Sequence, residues 1–114
     1  MASKGNWTVV FDDKVIIKQT GNDVGPQIIN DDTFWNQSKF SNIWAIQYGA
    51  SNTSDEVEYR DDTPHSSYVD ANLGDFQTFI DKWDDAKLAE LQAAWDADPR
   101  PESEKGARPT SYSS

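Results

Sequence analysis

Only one stretch of this chain, Asp75 to Asp96, carries a helical periodicity sustained over several turns, and that limits the fold more than any other feature. At about 100° per residue, Phe76, Phe79, Ile80 and Trp83 gather on one face, while Leu88, Leu91 and Trp95 gather on a face rotated by roughly 90°. One straight helix does not bury both faces, so the spacing predicts a break near Asp84-Asp85, with one aspartate capping a second helix. Ala86, Ala89, Ala93, Ala94 and Ala97 are strong helix formers that let this second piece pack closely on a neighbour. Asp98-Pro99 then ends the pattern, because the residue before a proline is pushed out of the helical region.

The chain before the helix reads as short strands. Trp7, Val9 and Phe11 alternate with Thr8 and Val10, Asp12-Asp13 supplies a polar turn, and Val15, Ile16 and Ile17 return as the second arm of a hairpin. Gln19 to Pro26 reads as a glycine-containing loop, followed by a short edge strand at Ile28-Ile29. Asp31 or Asp32 is placed to cap one helical turn through Thr33, Phe34 and Trp35. Ile43 to Tyr48 alternates Trp44, Ile46 and Tyr48 against Ile43, Ala45 and Gln47 and is expected to be a central strand. Glu56 to Arg60 alternates again beyond the polar loop Gly49 to Asp55, which makes a second hairpin. Met1 to Asn6 reads as a flexible lead, and Asp61 to Asn72 as a surface connection. The expected fold is therefore α+β: a small antiparallel sheet of two hairpins with one or two C-terminal helices packed on it.

At 114 residues there is room for one core, set at residues 1–97. Residues 98–114 hold one aromatic and no aliphatic side chain larger than alanine, so they are expected to be a tail that is flexible or docked on a partner. With no cysteine, disulfides, thiolate chemistry and Cys-based zinc sites are excluded together. No apolar run reaches the roughly 18 to 20 residues of a membrane span, and no signal-peptide pattern is visible in Met1 to Lys18. Twenty acidic against ten basic residues give a formal charge of −10, which opposes phosphate backbones and anionic membranes and suits a basic protein surface. Neither nucleic acid nor a membrane is expected as a partner.

The residues that carry chemistry elsewhere are placed here for structure. The pairs Asp12-Asp13, Asp31-Asp32, Asp61-Asp62 and Asp84-Asp85 fall at expected turns and helix starts, and none has the ligand spacing of a calcium loop. His65 follows Pro64 in a polar loop with no companion histidine and no serine nucleophile motif. Arg60, Asp61 and Asp62 beside it make at most a polar patch, and Gly21 and Gly25 lack the setting of a phosphate loop. No catalytic residue, cofactor, metal or small-molecule substrate is expected. Most rings fall at core positions; Trp35, Phe40 and Tyr112 lie outside the regular elements and, with Leu88, Leu91 and Trp95, are the expected partner contacts.

One ordered set of segments adds a family-level expectation. Trp44-Ala45-Ile46-Gln47-Tyr48, then Val57-Glu58-Tyr59, then Ala71-Asn72-Leu73 leading to Phe76-Gln77-Thr78-Phe79-Ile80-Asp81-Lys82-Trp83, resembles small phage-encoded proteins described as tail or virion structural proteins. The likeness covers residues 44 to 83, about a third of the chain, and the N-terminal hairpin is similar more loosely. The tail departs from the pattern, since many such proteins continue into long alanine-rich helices. No functional residue is carried over. The resemblance implies a non-enzymatic virion part, a tail, fibre or neck component or adaptor, binding other virion proteins alone or as a homo-oligomer. The rival expectation is an acidic DNA mimic that blocks a host nuclease or regulator.

Overall fold

In a computed structural model, residues 6–21, 23–49, 55–68 and 73–113 are described. The lead at residues 1–5, the tip of the predicted loop at 50–54 and residues 69–72, which include Ala71-Asn72, lie outside them.

The alternating rings and polar residues of the first hairpin become β1 (Trp7–Val10) and β2 (Val15–Lys18), paired antiparallel with Val9 opposite Ile16. Asp12-Asp13 forms the turn between them, closed by the Lys14 amide donating to the Phe11 carbonyl at 3.2 Å, with Lys14 in the left-handed region at φ 54°. β3 (Gly25–Ile28) pairs with β2 as the sheet edge. It begins inside the segment expected to be loop, and Pro26 fits there because an edge position asks no amide donor of it. β4 (Ile43–Tyr48) pairs with β1, and β5 (Glu56–Tyr59) with β4, giving one antiparallel sheet in the order β3-β2-β1-β4-β5. The α+β architecture read from the sequence is the one observed.

Between β3 and β4 the chain makes a single helical turn, α1 (Asp32–Trp35), then a 3₁₀ turn at Ser38–Phe40. Asp31 caps α1, its carboxylate accepting from the Phe34 amide at 3.1 Å. The turn persists because its aromatics are buried, as a segment this short requires. Here the structure corrects the sequence reading. Trp35 and Phe40, expected to contact partners, are core residues gathered around Phe11, whose ring lies 5.4 Å from that of Trp35 and 5.0 Å from that of Phe40. The Trp35 indole also donates to the Ile29 carbonyl at 2.8 Å, which satisfies its one polar atom in the interior.

α2 (Gln77–Ala97) is one unbroken helix of 21 residues. The turn into it uses Gly74 at φ 89°, a conformation glycine adopts without strain. Phe79, Ile80 and Trp83, with Phe76 just before the helix, pack on the sheet face formed by Trp7, Val9, Ile16 and Ile46. Trp7 meets Phe76 and Trp83 edge to face, and Tyr48 stacks on Phe76 at 4.0 Å.

The predicted break at Asp84-Asp85 is absent, for a physical reason visible in the tail. The second apolar face is not turned onto the sheet; it is covered by the chain's own C-terminus. After Asp98 the chain forms a short turn, α3 (Glu102–Lys105), and runs back along α2. Gln92 donates to the Pro109 carbonyl, the Trp95 indole to the Gly106 carbonyl, and Arg108 pairs with Asp96. Leu88, Leu91 and Trp95 are left half-buried. The chain is elongated, with extents of 56 × 30 × 18 Å and a radius of gyration of 16.3 Å, against roughly 13 Å for a compact chain of this length.

Candidate docking surface

Alternation along the strands decides what the second face of the sheet presents. Val9, Ile16, Ile46 and Val57 point to α2, so Val10, Val15, Ile17, Pro26 and Ile28 point away from it. An antiparallel sheet with one face in water ordinarily alternates apolar-in with polar-out. Here the outward positions of β3 and β2, and Val10 of β1, are apolar as well. Ile28 is 66% exposed and Val24, just before β3, is 56% exposed.

The largest residue of this face arrives by a register shift. The pairing of β4 with β5 slips between Ile43, opposite Tyr59, and Ala45, opposite Glu58, leaving Trp44 as the extra residue of a bulge. Ile43 and Ile46 are consequently both buried against the core, and Trp44 is turned out, 52% exposed. The simple alternation expected for this strand placed Trp44 with Ile46 and Tyr48; the bulge separates it from them.

Across the sheet the character changes. Thr8 and Gln47 occupy the middle of the open face, joined by a 2.8 Å hydrogen bond, and Glu56 and Glu58 occupy β5. His65 lies against Glu56 at 2.5 Å and 4.0 Å from Glu58, all three on the surface. They form an exposed polar cluster. Among the described residues no group of three or more His, Asp or Glu side chains is placed to hold a metal ion, and no helix is long and apolar enough to cross a membrane.

A cleft of about 460 Å³ opens beside Phe11 and Trp35, with Asp12, Lys14 and Arg60 at its rim. Its cations are engaged: Arg60 with Asp12, and Lys14 with Asp32 at 2.9 Å. The arrangement holds loops in place and offers an incoming ligand little charge.

Of the remaining expected contacts, Leu88, Leu91 and Trp95 lie together on the far half of α2, and Tyr112 is brought back to the sheet. The Tyr112 ring lies 5.9 Å from that of Trp83 and its hydroxyl donates to Asp23 at 2.9 Å, with the Lys18 ammonium near both rings. Partial burial, and then the hydrogen bond to the Asp23 carboxylate, push the Tyr112 hydroxyl up to about 12. The hydrogen bond from Arg108 holds the Asp96 carboxyl below its ordinary value. Lys105 sits 3.7 Å from the centre of the Trp95 ring and donates to the Trp95 and Asp98 carbonyls, capping the end of α2. Tyr112, expected to contact a partner, thus anchors the tail on its own chain.

The reading from sequence missed Trp44, Ile28 and the row between them. The available signal was the unbroken Ile43-Trp44-Ala45-Ile46, which two-fold alternation does not accommodate. Compared with protein-family models, with curated proteins and with solved structures, the chain gives no match.

Proposed function

We propose that this chain is a non-enzymatic structural part of a bacteriophage particle, a tail, fibre or neck component or adaptor, that works by docking on another virion protein. The observation that carries the reading is the apolar row on the sheet face opposite α2, where Val10, Val15 and Ile17 are half-buried and Ile28 and Trp44 are exposed. A partly exposed apolar surface with a polar border is what a protein interface looks like before its partner arrives. The phage assignment rests on the ordered likeness of residues 44 to 83 to small virion proteins. A DNA mimic asks for a row of unpaired carboxylates at phosphate-like spacing. Instead Asp12, Asp31, Asp32, Asp96 and Asp98 each lie against one of the chain's own cations.

Mass spectrometry of purified particles tests the assignment. The expected result is the chain at fixed stoichiometry, lost when Trp44→Ser and Ile28→Ser are combined. A chain found only in the infected-cell lysate and never in particles would count against it and favour the inhibitor.

A further inference from the structure

We infer that the open sheet face seats an amphipathic helix of another protein whose apolar stripe is bordered by lysine or arginine. The inference rests on the docking role proposed above and names the chemistry of the partner.

The face is graded in one direction. From the β3 edge to β1 it is apolar, with Pro26 and Ile28, then Val15 and Ile17, then Val10, and Trp44 beside them on the bulge. Thr8 and Gln47 follow, and on β5 Glu56 and Glu58 project from the same side, since Val57 between them is buried on the other. Five strands at about 4.8 Å spacing make the face roughly 19 Å wide. A helix about 10 Å across, laid along β2 and β1, covers the middle of the apolar zone and leaves β5 roughly 7 Å beyond its flank, a gap that long lysine or arginine side chains reach across. A flank of lysine or arginine then meets them with opposite charge, and a flank of aspartate or glutamate meets them with like charge.

The same charge argues against a second copy as the occupant. Each copy carries a formal charge of −10, and a two-fold pair would either set the glutamates of one copy against those of the other or cover them with valine and isoleucine. The border is also net acidic on its own account, with His65, charged only when protonated, the cation placed against Glu56 and Glu58.

The test uses the full chain and two synthetic 14-residue helical peptides, one of leucine and lysine with all leucines on one face, the other with glutamate in place of lysine. Amide chemical-shift mapping should place the leucine/lysine peptide on Val10, Val15, Ile17, Trp44 and Glu58, with affinity falling as salt rises. The pair Trp44→Ser with Ile28→Ser should weaken it about tenfold or more, as loss of central apolar anchors does. The pair Glu56→Gln with Glu58→Gln should weaken it about fivefold and flatten the salt dependence, as loss of border charge does. Glu102→Gln with Glu104→Gln, on the distant tail turn, serves as the charge control and should leave affinity within about twofold. Four results overturn the inference: no binding, equal binding of the glutamate peptide, equal weakening by the tail control, or sedimentation showing that the free protein already dimerises through this face. Should the Trp44→Ser and Ile28→Ser pair abolish particle incorporation while the leucine/lysine peptide fails to bind, the docking role stands and the partner chemistry falls. Should the peptide bind as expected while the chain is missing from particles, the reverse holds.

Discussion

The two halves of α2 are the same helix held by different physics. From Phe79 to Asp84 it is part of the core: Phe79 touches the rings of Phe11, Phe34, Phe40 and Phe76, and Trp83 meets Trp7 edge to face and donates its indole hydrogen to the Gly25 carbonyl. From Asp85 to Ala97 its cover is a strand of low-hydrophobicity tail, fixed by carbonyl caps, one cation–ring contact and surface ion pairs. Buried rings hold by area removed from water, which is insensitive to salt and pH. The clasp holds by exposed charges and single hydrogen bonds, each worth little alone. The near half is therefore expected to unfold with the domain, and the far half to open before it.

The largest expected effect is on the near half. Phe79→Ala is expected to cost about 3 to 5 kcal/mol, the range for truncating a buried ring, measured by chemical denaturation. A loss under about 1 kcal/mol would mean the ring cluster is not what holds α2, and the contrast would collapse. Trp95→Ala on the far half is expected to cost only about 1 kcal/mol, the scale of an exposed cation–ring contact with partial burial. Its signature is faster amide exchange at residues 99–113 with residues 77–84 unchanged; acceleration in both halves would show that they are one cooperative unit.

Smallest in energy, but most selective, is the response to pH. Tyr112 has its pKa raised from 10.0 to about 12, so its anchoring is fully present below pH 10 and is lost as pH rises through about 12. The groups facing it are Asp23 and Asp84, which favour the neutral phenol, and the nearby Lys18. Asp96 runs the other way. Its pKa lies below the ordinary 3.8, so its pairing with Arg108 contributes above that value and is lost as pH falls through the folded one. Protection of the tail amides, taken relative to the intrinsic exchange rate at each pH, should therefore be greatest between these limits, and Tyr112→Phe should remove the alkaline limb while leaving the acid limb in place. An alkaline limb that survives Tyr112→Phe would assign the clasp to other groups.

Much of this was legible in the chain. The near face of α2, the stop at Asp98-Pro99, a cap at one of Asp31 and Asp32, the Asp12-Asp13 turn and the strands of the two hairpins all follow from rules acting over a few residues. What escaped depends on residues far apart in sequence. Trp35 and Phe40 look like loop aromatics until Phe11, more than twenty residues earlier, gathers them. The tail looks unable to fold because by itself it is; α2 supplies what it lacks. Leu88, Leu91 and Trp95 were recognised as a second apolar face, and the error lay in what was assumed to cover it. The open sheet face escaped because its largest anchor arrives through a slipped register.

Trp44 faces outward through one surplus position in β4, so the proposed docking face depends on the count of residues as well as on their kinds. Deleting Trp44, the one residue between Ile43 and Ala45, would restore unbroken pairing with β5 while Ile43, Ala45 and Ile46 keep the sides they now have. Nearly every amino-acid type would be kept and the principal anchor lost. The exposed ring thus depends both on the surplus position in β4 and on the tryptophan that fills it, and loss of either would remove it.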